Sequence, residues 1–324
     1  MFSLFYGLAV VIIAWFYRLH PARINCKVIS VGNITLGGTG KTVLVEYLVE
    51  RIIREGNKPA VLSRGYKRDA RLSGEQSMGD EPAMLRRKFP HLPVIVDKDR
   101  LKGASRAIKD YAVNTLILDD GMQQWRIFKD LEIITIDSRN PFGNFRLLPA
   151  GFLREPLSSL KRADIFVLTK VDAGQDTAGI TNRLRKLNPR ALFVESRHMP
   201  EGFSNLNKPD EILSADSLKG RAALVFSGIG NPQAFEDTVR SLGINISGTL
   251  RFADHHDYIQ ADLDDIVARA KEKELDTIIT TEKDAVKIFR LKINHPGIFS
   301  LHIKLGITKN EAEFDRRLFK LYSL

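Results

Sequence analysis

The sequence predicts an α/β protein: a larger domain with a P-loop NTPase-like, mostly parallel sheet, then a second, smaller α/β domain. Two observations carry this. From Pro21 onward, short apolar runs alternate with amphipathic stretches, the pattern of right-handed βαβ units. A glycine-rich loop at residues 32–42 joins the first apolar run to the first amphipathic stretch, the strand–loop–helix context of a phosphate-binding loop. A length of 324 residues accommodates two domains, and 44% apolar with 27% charged residues is a globular composition. The single cysteine, Cys26, excludes an internal disulfide and a cysteine zinc cluster, and fits a reducing cytosol.

Residues 1–17 (MFSLFYGLAVVIIAWFY) carry no charge. As a helix they span about 25 Å, slightly short of the roughly 30 Å hydrocarbon core of a bilayer. No basic residue precedes the run, as a signal peptide requires; Arg18, Arg23 and Lys27 follow it instead. The positive-inside tendency then puts the body of the chain on the cytoplasmic side. Residues 1–20 therefore read as an N-terminal membrane-associated helix.

Strands are expected at 27–31, 59–63, 93–96, 115–118, 131–136 and 164–168. Between the first two, Leu44, Val45, Leu48, Val49, Ile52 and Ile53 form one helical stripe that stops at Gly56. These elements make residues 21–198 the P-loop domain. Residues 199–220 are polar and turn-rich, and read as a linker. Further runs at 222–226, 245–250, 277–280 and 299–303 make residues 221–324 the smaller domain.

The loop reads GNITLGGTGKT. Gly37, Gly38, Thr39 and Gly40 let backbone N–H groups converge on phosphate oxygens at a helix N-terminus. Lys41 would reach the β- and γ-phosphates and the Thr42 hydroxyl a Mg²⁺ ion. The first glycine of the common pattern falls on Thr35. The Gly37–Gly38 pair resembles the loop of partitioning ATPases, but their extra lysine falls on Leu36. Nucleotide binding follows.

The run TLILDD ends in Asp119 and Asp120, which can hold the metal or cap a turn. GDEP, with Asp80, reads alone as a solvated turn. SRGY ends the second strand, where Arg64 can meet a phosphate and Tyr66 a sugar. TKVD at residues 169–172 resembles the guanine-reading motif of GTPases, and keeps a metallochaperone- or partitioning-type P-loop GTPase as the alternative. ADHHDY carries His255 and His256, half a metal site, an acid–base unit or a polar loop. The net charge of +10 calls for an anionic partner, and no nucleic-acid motif occurs.

Together the strings GNITLGGTGKT, LSRGY, GDEP, KDRLKGA, LILDDGMQQ, LLPAGFLREPLSSLKRAD, FADHHDY and TEKDAVK resemble the tetraacyldisaccharide 4′-kinase family of lipid A biosynthesis. They occur in the family's order across most of the chain. The resemblance implies transfer of the γ-phosphate of ATP, with Mg²⁺, to the 4′-hydroxyl of a tetraacyl glucosamine disaccharide 1-phosphate. It implies work at the cytoplasmic face of the bacterial inner membrane, on an anionic surface, attached by the N-terminal helix. It implies no particular oligomer.

It further implies that Lys41 and Thr42 serve phosphate and metal, with Asp119 and Asp120 near the metal. Asp80 would activate the attacking hydroxyl with a histidine, His255 rather than His256. Arg64, Tyr66, Arg100, Gln123, Arg154, Glu155 and His256 would lie around nucleotide or substrate phosphates. Met122 stands where the family usually has an aromatic residue, and Gln124 where histidine is frequent.

Overall fold

The computed structural model describes residues 2–65, 78–172 and 174–323. In chain order the elements are α1 (Phe2–Leu19), β1 (Lys27–Gly32), α2 (Lys41–Arg54), β2 (Pro59–Ser63), α3 (Asp80–Lys88), β3 (Val94–Val96), α4 (Arg100–Tyr111), β4 (Thr115–Asp119), β5 (Leu131–Asp137), β6 (Ile165–Thr169), α5 (Ala178–Leu187) and β7 (Leu192–Asn205). Then follow β8 (Lys208–Ser214), β9 (Ala222–Ser227), α6 (Pro232–Ser241), β10 (Asn245–Arg251), α7 (Gln260–Glu272), β11 (Thr277–Thr281), α8 (Glu282–Ile288), β12 (Ile298–Lys309) and α9 (Glu311–Phe319).

The chain forms two compact units, Met1–His198 with Leu305–Leu324, and Met199–Lys304. In the first, the strands run in the order β7-β6-β5-β1-β4-β2-β3. Each neighbouring pair is parallel, with β1 between β4 and β5. Buried on both faces, these strands are near-continuous apolar runs, which is why they were visible in the sequence. The loops at their C-terminal ends carry ligands in open parallel sheets, and here they hold the glycine-rich loop, Asp119–Asp120 and residues 169–172.

Helix α2 buries Leu44, Val45, Leu48, Val49 and Ile52 against β1, β2 and β4. Full burial of each such side chain stabilises by about 1.5–3 kcal/mol. Ile53, expected on the same stripe, is exposed, and Glu46 takes a buried place by pairing with Lys88 at 3.0 Å. Leu305, Phe314 and Leu318, from the chain's end, pack into this same core.

The second unit has the parallel order β10-β9-β11-β12. The division differs from the expected one in two ways. Residues 199–220 are not a linker: the end of β7 pairs antiparallel with β8, Phe203 opposite Leu213. Residues 305–324 leave the smaller unit and complete the core of the first.

Helix α1 belongs to the first unit. Ser3 Oγ donates to the Leu147 carbonyl at 3.1 Å, and the Tyr6 hydroxyl to the Arg154 carbonyl at 3.1 Å. Leu8, Ile12, Trp15 and Phe16 are all more than half exposed. Among the described residues no helix is long and apolar enough to cross a membrane.

Candidate active site

The glycine-rich loop is shaped by two left-handed residues, Gly37 at φ 108° and Gly40 at φ 80°. Side chains rarely adopt that conformation, so glycine is required at both. A Cβ on Gly40 would also stand 3.2 Å from His198 Nε2. Thr35 can replace the usual first glycine because its φ is not positive and its backbone bridges Leu153 antiparallel. No side chain caps the start of α2, which leaves its first N–H groups to an anion.

Lys41, the first residue of α2, lies 2.9 Å from Asn33 Oδ1 and 3.6 Å from Asp120 Oδ1. Thr42 follows it, half-buried. Asp119 and Asp120 stand at the end of β4, the latter with φ 54°. They are in different states. Asp119 is buried; Ser63 Oγ donates to its Oδ2 at 3.3 Å, while its Oδ1 has no hydrogen-bond partner. Burial pushes this carboxyl up to about 7, the charge of Glu81 adds to the rise, and Lys41 opposes it. Burial acts the same way on Asp120, but Lys41 and Arg154 outweigh it and hold that carboxyl below the usual range.

Both Asp120 oxygens accept from Arg154 Nη1 at 2.8 Å. The open oxygen near the loop thus belongs to Asp119. Among the described residues no cluster of three or more His, Cys, Asp or Glu side chains could hold a metal. Mg²⁺ takes one or two carboxylates and completes its shell with water and phosphate oxygens. The orphaned Asp119 oxygen and the Thr42 hydroxyl suit it.

Three of the expected site residues, Glu155, Gln123 and Arg154, lie in one hydrogen-bonded chain. Glu155 is fully buried and accepts from Arg162 at 2.8 and 3.1 Å and from Gln123 Nε2 at 3.0 Å. Burial would raise its pKa, but Arg162 holds it down. Gln123 Oε1 in turn lies 3.5 Å from Arg154 Nη1, so the chain Arg162–Glu155–Gln123–Arg154 ends on Asp120. Arg100 opens α4 behind the Asp99 cap, buried, with its Nη1 on the Asp97 carbonyl. Burial lowers its pKa against the pull of Asp119. Arg64 is exposed just past β2. Asp80 is the first residue of α3, where its charge meets the positive end of the helix. Tyr66 lies outside the described residues.

The two adjacent histidines belong to the second unit and differ in their partners. His256 Nε2 is 3.0 Å from Asp262, and its ring stacks on Phe252 at 4.7 Å and meets Tyr258 edge-on. The imidazole is built into an aromatic cluster. His255, at φ 60°, has its Nε2 3.1 Å from Lys283 Nζ and 4.0 Å from Asp254.

Sequence reasoning passed over His198. It ends the first unit's part of β7 beside Gly40, and its Nε2 is buried without a hydrogen-bond partner. Burial, reinforced by Lys170, lowers it to about 4, so the ring is neutral at physiological pH. A lone histidine in a polar stretch gives no signal of this.

The family model for tetraacyldisaccharide-1-P 4′-kinase (LpxK) matches residues 1–322. The chain belongs to the LpxK family. A tetraacyldisaccharide 4′-kinase of Halothermothrix orenii is 36% identical over 311 residues, covering 88% of this chain and 81% of its own. Another, of Syntrophus aciditrophicus, is 36% identical over 350 residues, covering 99% and 91%. Among solved structures, LpxK of Aquifex aeolicus in complex with ATP matches with a TM-score of 0.79 and 27% identity, covering 99% of this chain and 98% of that one. These LpxK relatives do not favour the guanine-reading alternative drawn from residues 169–172.

Proposed function

We propose that the chain transfers the γ-phosphate of ATP to the 4′-hydroxyl of a tetraacyl glucosamine disaccharide 1-phosphate, a step of lipid A synthesis. The observation that supports this most directly is the uncapped start of α2 with Lys41 at its first position, beside the paired carboxylates Asp119 and Asp120. In-line phosphoryl transfer demands positioning and charge neutralisation more than covalent chemistry. Loop N–H groups and Lys41 would hold the β- and γ-phosphates. Asp119 and Thr42 would hold Mg²⁺, which when bound neutralises phosphate charge. Arg154 keeps Asp120 ionised and fixed.

Asp80 would accept the hydroxyl proton, and the resemblance pairs it with His255. Asp80→Ala is expected to lower kcat by roughly 10²–10⁴-fold, the share of a general base. Its ATP affinity should stay near that of the parent enzyme; a parallel loss of nucleotide binding would make Asp80 a metal ligand instead. The overall reading is tested with γ-labelled ATP and GTP, each with and without the disaccharide lipid. Label passing from ATP to the lipid is the expected result; GTP hydrolysis without acceptor and no labelled lipid would overturn it.

We further place the enzyme on the cytoplasmic face of the inner membrane, held by the apolar outer side of α1. Deleting residues 1–20 should remove the protein from the vesicle fraction on flotation. A truncated chain that still floats with vesicles would assign the attachment to another surface.

A further inference from the structure

Residues 169–172 resemble a base-reading motif, yet in the structure the Thr169 and Lys170 side chains turn to the phosphate loop. Thr169 Oγ1 donates to the Thr39 carbonyl at 2.8 Å. Lys170 Nζ donates to the Gly38 carbonyl at 2.6 Å, and is itself held by Asp137 Oδ2 at 2.5 Å. Lys170 has a φ of 56°, and Ser138 Oγ donates to its carbonyl at 2.9 Å. Asp172, the residue that would read guanine, pairs instead with Arg139 at 3.0 Å on the surface.

The peptide unit is planar and trans, so its C=O and the following N–H point in opposite directions. Holding the Gly38 carbonyl therefore sets the direction of the Thr39 N–H, and holding the Thr39 carbonyl sets that of the Gly40 N–H. These donors belong to the run that meets phosphate oxygens. The loop needs such tethers. No heavy atom would lie within 4 Å of a Cβ on Gly37 or Gly38, so packing does not restrain that turn, and glycine is the residue with most freedom to lose.

We propose that Thr169 and Lys170 are positioning residues for ATP: from the end of β6 they hold the Gly38 and Thr39 carbonyls and so preset the N–H groups that receive its phosphates. The inference rests on the ATP reading above. Its effect is on nucleotide binding, because the ordering is done before ATP arrives.

The test compares Lys170→Met, Lys170→Arg, Thr169→Val and Asp137→Asn in the full-length enzyme, measuring KM for ATP, KM for the lipid, kcat and melting temperature. Lys170→Met and Thr169→Val should each raise the ATP KM about tenfold, the scale of freeing one or two backbone residues. The lipid KM should stay unchanged. Lys170→Arg, which can still donate to Gly38, should recover much of the loss. Asp137→Asn keeps the ammonium but loosens its hold, and should raise the ATP KM as well.

An unchanged ATP KM in Lys170→Met, with the parent enzyme using ATP normally, overturns the inference alone. A parent enzyme without ATP affinity overturns the function on which it rests. A rise in both KM values together with a lower melting temperature assigns these residues to general stability. An altered ATP/GTP preference in Asp172→Ala assigns the segment to the base.

Discussion

Lys41→Ala is expected to abolish phosphoryl transfer, by about 10³–10⁵-fold in kcat, the scale attached to loss of a transition-state cation in phosphoryl-transfer enzymes. The ammonium is held at the mouth of the loop by Asn33 and lies 3.6 Å from Asp120. In the proposed reaction it meets the charge on the transferring phosphoryl group, at the N-terminal end of α2. The fold should survive the change, because Asp120 keeps both of its hydrogen bonds to Arg154 and is not left as an unpaired charge. Circular dichroism and the melting temperature should match the parent enzyme while labelled lipid falls to background. Retention of a tenth or more of the parent rate would show that Lys41 does not bear the phosphates.

Asp119→Asn should also lose at least about 10³-fold in rate, yet make the unliganded protein more stable at pH 8. Burial raises the folded-state pKa of Asp119 to about 7, above its ordinary 3.8. Between those values the native state binds more protons than the unfolded chain, so stability falls as pH rises and levels off above about 7. At pH 8 the native protein holds a buried charge whose cost is on the order of a few kcal/mol, and asparagine removes it. At pH 5.5 the parent carboxyl is largely protonated and the two melting temperatures should converge. A variant less stable than the parent at pH 8 would show that Asp119 is stabilised as a carboxylate by partners within the protein. Such an exchange of stability for activity is expected where a site holds a charge for a ligand to neutralise.

The parallel sheet of the first unit was legible because its strands are buried on both faces. Runs such as LILDD and IFVLT have no polar alternation to confuse them with surface strands. The hairpin of β7 and β8 was not legible, since Arg197, Glu201, Asp210 and Glu211 break both the period of two and the period of 3.6. Nor could any local pattern show that Phe314 and Leu318 rejoin the core under α2. Helix periodicity located α2 but could not foresee Glu46 inside it, because the compensating Lys88 comes from another helix.

In the site, the loop and its lysine were readable from residue identity alone, as glycine is the residue suited to φ 80° or 108°. The difference between Asp119 and Asp120 was not. Adjacent in sequence, they are set apart by Arg154, 34 residues further on. His255 and His256 are likewise distinguished by their partners, Lys283 for the first and Asp262 and Phe252 for the second. Neutral His198 is a product of burial, which no motif encodes.

The hydrogen bond from Tyr6 to the main chain of Arg154 has a consequence for how α1 can be handled in the laboratory. The same Arg154 grips Asp120, and the stretch before it bridges to Thr35 at the base of the phosphate loop. The N-terminal helix is thus linked to Asp120 through Arg154. Trimming the helix removes this support of Arg154. A truncated enzyme given its lipid in detergent, with no membrane to find, should still turn over more slowly than the whole chain.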